Sequence, residues 1–115
     1  MWLTLFAMEF AFVKIAVFTP LSHADAVRKA MAEAGAGHIG KYDSCSFSSR
    51  GIGRFRGGEG TKPFIGKPGV TEEVEEEKIE TVCPATILEK VVAALKKAHP
   101  YEEPAIDIYP LLNQP

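Results

Sequence analysis

Five side chains in this sequence have the chemistry to hold a divalent metal ion: His38, Cys45, His99, Glu102 and Glu103. Imidazole, thiolate and carboxylate are suitable donors, yet the five follow no compact zinc or EF-hand spacing, so such a site has to be assembled by folding or between subunits. Each also has a plainer use: His99 as a helix cap, Cys45 as packing in a sheet, the glutamates as solvated charges. Arg50, Arg54 and Arg56 share a face if they lie on one continuous strand, and their guanidinium groups then offer an anion bidentate partners. Tyr101 and Phe64 add flat surface on which a ring packs.

Catalytic constellations are weak. Adjacent Glu102 and Glu103 point apart in an extended segment, which separates a general acid from a general base. No Ser-His-Asp or Cys-His arrangement emerges, and His23 reads as a first-turn helix residue. Gly51-Ile52-Gly53 lacks the strand-to-helix context of a dinucleotide fingerprint, and Gly66-Lys67 runs into Pro68 where a phosphate loop needs a hydroxyl.

The elements that position these groups are legible around Ala98 to Leu111. Lys96, Lys97 and His99 suit the negative end of a helix, and Pro100 stops it. Pro104 holds Glu103 extended, after which Ile106 and Ile108 alternate with polar neighbours as in a half-buried strand. Tyr101, Glu102 and Glu103 therefore sit on a helix-to-strand connection.

Earlier in the chain, Val13, Ile15 and Val17 mark a strand ending at Pro20. Ser22 with Asp25 resembles a capping box, and Ala24, Val27, Ala30, Met31 and Ala34 form the stripe of a first helix from Ser22 to Gly35, capped by Gly35-Ala36-Gly37. Residues from Tyr42 to Arg56 read as a hairpin punctuated by Gly51 and Gly53. A long loop follows from Gly57 to Gly69, of the kind that is usually functional or mobile. Its acidic successor, with Glu72, Glu73, Glu75, Glu76 and Glu77 as a solvated face, enters a strand carrying Ile79, Thr81 and Cys83. A second helix starts at Pro84, or at Thr86 with Glu89 as its capping box, and buries Leu88, Val91, Val92, Leu95 and Ala98. Two such helices over a mostly antiparallel sheet with an added hairpin predict an α+β two-layer sandwich of ferredoxin-like topology.

At 115 residues there is room for one domain, taken as residues 13–111 with an apolar extension at 1–12 and a tail at 112–115. A formal charge of -2 argues against electrostatic binding to nucleic acid or acidic membrane. The apolar start has no basic leader and is interrupted by Glu9 and Lys14, so it reads as an extension feeding the first strand and not as a membrane span. Cys45 and Cys83, with no CxxC spacing, fit free thiols in a reducing, cytoplasmic setting.

Several motifs in order resemble the inserted domain of the Nif-three-like (YqfO-type) family: Ala34-Gly35-Ala36-Gly37-His38-Ile39-Gly40, Tyr42, Cys45-Ser46-Phe47-Ser48, Gly53 with Phe55, Glu59-Gly60, Pro63-Phe64-Ile65-Gly66, and Ala98-His99-Pro100-Tyr101-Glu102-Glu103-Pro104-Ala105 to Tyr109. Ile106 stands where that family often has an aromatic residue. The resemblance implies a PII/CutA-like domain that assembles, usually as a trimer, through sheet edges. It also implies sensing of small molecules or metals, or regulation of a partner, without catalysis in this segment. The expected ligand surface combines the long loop with His38, Tyr42, Arg54, Arg56, Phe64, His99, Tyr101, Glu102 and Glu103. An alternative, in the CutA manner, is a divalent-metal site of His38, Cys45, His99 and Glu102 or Glu103. A further alternative is the metal-dependent hydrolysis of longer family members, whose metal ligands lie outside the inserted domain.

Overall fold

Val13, Ile15 and Val17 place branched apolar side chains on one face of a strand, and the chain around them becomes the centre of the sheet. In the computed structural model, which describes residues 10–115, this strand is β1 (Phe12–Pro20). It is followed by a 3-10 turn (Leu21–His23), α1 (Ala24–Glu33), β2 (Phe47–Arg56), β3 (Thr71–Pro84), a second 3-10 turn (Ala85–Ile87), α2 (Leu88–Ala98) and β4 (Ile106–Leu111). The sheet is ordered β2-β3-β1-β4 and every neighbouring pair is antiparallel. This βαββαβ order, with both helices packed on the face that carries Ile15 and Ile79, is the expected ferredoxin-like sandwich. Residues 1–9 of the expected extension lie outside the described residues.

The core follows the two periodicities. Ile15 and Val17 from β1, with Ile79 and Cys83 from β3, meet Val27 and Met31 of α1 and Leu88, Val91 and Leu95 of α2. Burying each large side chain contributes about 1.5–3 kcal/mol, which is how two short helices of ordinary propensity are held in place. Burial also pushes the Cys83 thiol up to about 12, so it packs as an inert apolar group.

Three local expectations are corrected. Neither capping box forms: both helices emerge from a proline-led 3-10 turn, after Pro20 and Pro84, and neither N-cap has a side-chain hydrogen bond. The turn supplies the first bond from backbone, with the Ala24 and Leu88 amides donating to the Leu21 and Ala85 carbonyls. Instead of capping α1, the Ser22 hydroxyl lies 2.8 Å from His23 Nδ1.

The expected hairpin between Tyr42 and Arg56 is one strand. β2 pairs with β3 without interruption from Phe47↔Glu80 to Arg56↔Thr71, so the hairpin is β2 with β3 and the long loop is its connection. Continuous pairing with β3 outweighs the weak strand propensity of Gly51 and Gly53. Before β2, Gly37 and Cys45 are stitched to the end of β3: Gly37 N–H donates to the Val82 carbonyl at 2.8 Å, Cys45 N–H to Gly37 at 2.9 Å, and the Thr81 hydroxyl to the Cys45 carbonyl at 2.8 Å.

The acidic run is not a uniformly solvated face. Strand alternation sends its members to opposite sides, and Glu76 is only 7% exposed. Glu77, on the helix side, pairs with Arg28 of α1, which also holds Asp25, while Glu73 pairs with Arg54 across the β2–β3 ribbon.

Candidate functional site

Away from the helices, the β2–β3 ribbon, the loop of residues 57–70 and the α2–β4 connection converge on a cleft of about 430 Å³. Glu76, Phe18, Phe55, Phe64 and Tyr101 line it, with Glu102 and Glu103 at the connection. Each arrives for a local reason. Phe18 is on the β1 face opposite the core, and Phe55 sits diagonally from Val74 on the same side of the ribbon as Glu76. Gly69 N–H closes the base of the loop on Gly57 at 2.8 Å, and Lys62 N–H reaches Glu102 Oε1 at 3.1 Å, drawing the loop to the connection. Phe64 then meets His23 edge-on, with centroids 5.3 Å apart.

Tyr101 is the hub. Its ring lies 4.9 Å from His99, 5.9 Å from Phe55 and 6.4 Å from Phe64, centroid to centroid, and its hydroxyl donates to Glu76 Oε2 at 2.7 Å. Burial, reinforced by the bond to Glu76 and its charge, pushes the phenol well above its ordinary value, so it remains a protonated donor. The Glu76 carboxylate lies against Gly53: a Cβ there would sit 2.0 Å from Oε1. Gly53 is thus a close-approach glycine, and any side chain there displaces the carboxylate from Tyr101.

His99 does not act as the cationic helix end that its position suggests. As C-cap of α2 it is 6% exposed; a carbonyl only accepts, so Nε2–H donates to Phe18 O at 2.7 Å, while Nδ1 accepts from Tyr101 N–H at 3.1 Å. That is a neutral tautomer with both nitrogens in use. Burial lowers its pKa, against the opposing pull of the Phe18 carbonyl and Glu76, with His23 adding to the lowering. The folded state therefore binds this proton less readily than the unfolded chain. Stability from His99 is complete above the unfolded value of about 6.5 and is lost as pH falls through the lower folded value. Denaturant midpoints taken at several pH values between neutral and mildly acidic should fall more steeply for the native chain than for His99→Gln, whose amide can both donate and accept. Parallel curves would remove His99 as the source.

The expected site residues separate. Phe64, Tyr101, Glu102 and Glu103 meet at the cleft, and His99 supports Tyr101 from beneath. Arg54 and Arg56 border it through the strand, but alternation turns their side chains to the face opposite Phe55, where Arg54 Nε meets Glu73 at 2.9 Å. His38 and Tyr42 are exposed in the segment stitched to Val82, with Cys45 beside Thr81. Val82 lies six positions along β3 from Glu76, roughly 20 Å at strand rise. The metal set of His38, Cys45, His99 and Glu102 is thus divided between two ends of the sheet, and no cluster of three or more His, Cys, Asp or Glu side chains suited to a metal occurs among the described residues. Sequence reasoning missed Glu76, Phe55, Phe18 and Gly53 as site residues. The available signal was Gly53 itself, since a glycine inside a strand marks close approach.

This architecture is that of CutA-like proteins: CutA from Archaeoglobus fulgidus superposes with a TM-score of 0.65 at 18% identity over 90% of this chain and 86% of its own. CutA from Xylella fastidiosa gives 0.67 at 15% identity. Sequence then narrows the class, because a Bacillus cereus protein related to NIF3 is 50% identical, with a TM-score of 0.79, over 90% of this chain and 26% of its own. The GTP cyclohydrolase 1 type 2 homolog of Halalkalibacterium halodurans is 57% identical over 101 residues, 88% of this chain and 27% of the relative. Its Bacillus subtilis namesake is 50% identical over 102 residues. The chain is thus similar to a CutA-like segment of NIF3-related proteins and spans about a quarter of the length of the relatives it matches. No protein-family model matches it. Among the described residues no helix is long and apolar enough to cross a membrane.

Proposed function

We propose that this is a non-catalytic, ligand-binding regulatory domain of PII/CutA type that works as a homo-oligomer in the cytoplasm. The observation that carries the reading is the cleft: aromatic rings from three separate elements surround one hydrogen-bonded carboxylate, in a volume suited to a small molecule. Its walls include a loop and a connection as well as a strand, so an occupant changes how those segments sit against one another. The name borne by the longer relatives describes much larger proteins, and we assign this segment the binding role and not a reaction.

A trimer is the favoured assembly, as the resemblance to PII/CutA-like domains implies, and among the described residues β2 and β4 are the edge strands through which the sheet could pair. Light scattering should give three times the 12.5 kDa chain mass. A monomer at all concentrations would remove the assembly. Independently, a fragment library followed by amide shifts should yield compounds that move Gly53, Phe55, Phe64 and Tyr101 together. If no fragment moves that set, the binding role fails.

A further inference from the structure

We propose that the cleft selects a cationic aromatic ligand, a flat ring bearing an amidine, guanidine or protonated amine, whose N–H groups pair with Glu76 while its ring stacks among Phe55, Phe64 and Tyr101. This rests on the binding role proposed above and adds the chemical class of the occupant.

The argument starts from the two carboxylate oxygens of Glu76. Oε2 accepts from Tyr101. Oε1 has no hydrogen-bond partner among the described residues, and since no fully buried polar side-chain atom there lacks one, Oε1 is not sealed off; it lies beside Gly53, which with Glu76 lines the cleft. A nearly buried carboxylate with one open oxygen favours a donor that brings positive charge, because a charge-assisted bond is shorter and stronger than a neutral one. The surroundings agree. Glu102 and Glu103 add negative charge to the lining, whereas the Arg54 guanidinium is spent on Glu73 across the opposite face, and Arg56 leaves the strand on that same face. An anion would face three carboxylates, while the two arginines of the same lining, Arg54 and Arg56, stand on residues that alternate to the other face of β2.

The rings supply the second half. Phe55, Phe64 and Tyr101 present π faces at mutual centroid distances of 5.9 and 6.4 Å around Tyr101, and a cation over such a face is attracted by the ring quadrupole. The same side of the sheet already shows this contact: Lys78 Nζ stands 5.8 Å from the centroid of Phe18, which also lines the cleft. The arginine ribbon suggested by sequence thus gives way to the opposite charge preference, because β2 carries its arginines and its phenylalanine on different faces.

Three isosteric probes separate the possibilities. Amide shifts of the full chain should show benzamidine saturating at Gly53, Phe55, Phe64 and Tyr101, benzamide binding at least fivefold more weakly, and benzoate weakest. In Glu76→Gln the preference for benzamidine over benzamide should disappear. Should that variant fail to fold, Phe55→Leu keeps the carboxylate and should weaken benzamidine severalfold. Benzoate binding as tightly as benzamidine, or an unchanged preference in Glu76→Gln, overturns the cationic class while leaving a binding cleft in place. No shifts from any of the three overturn both the class and the binding role.

Discussion

Replacing Ile15 by alanine will lower stability by about 2–5 kcal/mol, the cost of a large-to-small change where the surroundings only partly collapse. Ile15 is fully buried on the central strand, where it stands opposite Thr81 of β3 and Ile108 of β4 and faces both helices. No neighbour on that strand can follow the lost atoms inward, because pairing on both edges fixes the backbone. Against a total of about 5–15 kcal/mol for an ordinary domain, the loss is large. Chemical denaturation should show a lower midpoint with an unchanged slope. Ile52→Ala, at a position 51% exposed on β2, is the control and should stay within about 0.5 kcal/mol. If the two substitutions cost the same, the core is not where the packing places it.

Gly37→Ala should be comparably damaging for a different reason. Gly37 has φ +87, where an L residue is strained, and an added Cβ would meet the backbone O and N of Cys45 at 2.7 and 2.8 Å. Backbone, unlike the end of a long side chain, cannot swing aside. The same residue exchanges hydrogen bonds with Val82 and Cys45, so the segment that leads into β2 shifts as a unit. Left-handed strain and overpacking together amount to roughly 2–4 kcal/mol. Gly40→Ala separates the two contributions, since Gly40 also has positive φ but its Cβ would meet nothing within 4 Å. Equal losses in the two variants would show that the clash with Cys45 is relieved at no cost.

The contrast between these glycines and Gly53 bears on what a glycine in a sequence signifies. At Gly37 the obstacle is main chain and the consequence is stability. At Gly53 it is the Glu76 carboxylate, and the consequence falls on the bond to Tyr101 that organises the cleft. Both sites lie along β3, roughly 20 Å apart, so a single strand carries a structural anchor at one end and the candidate binding site at the other.

The sequence by itself determined most of the elements, the β2 strand read as a hairpin excepted. Period-two alternation at Val13 to Val17 and at Ile106 to Ile108, and the apolar stripes ending at Met31 and Leu95, depend on neighbours within one strand or helix. Prolines and glycines stop those elements through local backbone geometry. The ordered motifs from Ala34 to Tyr109 carried the resemblance to NIF3-related proteins for the same reason, being local text. What only tertiary structure decided was which polar residues share a space. Glu76 and Glu77 are adjacent and acidic, yet one enters the cleft beside Tyr101 and the other meets Arg28 under α1, because the β3 register sends them to opposite faces. His99 reads as a cation at a helix end until the end of β1 puts the Phe18 carbonyl against its ring. The arginines read as an anion site until β2 proves continuous and turns them away from Phe55. Charge, protonation and access depend on what lies across the sheet, and one strand's residues do not state what its neighbour will bring.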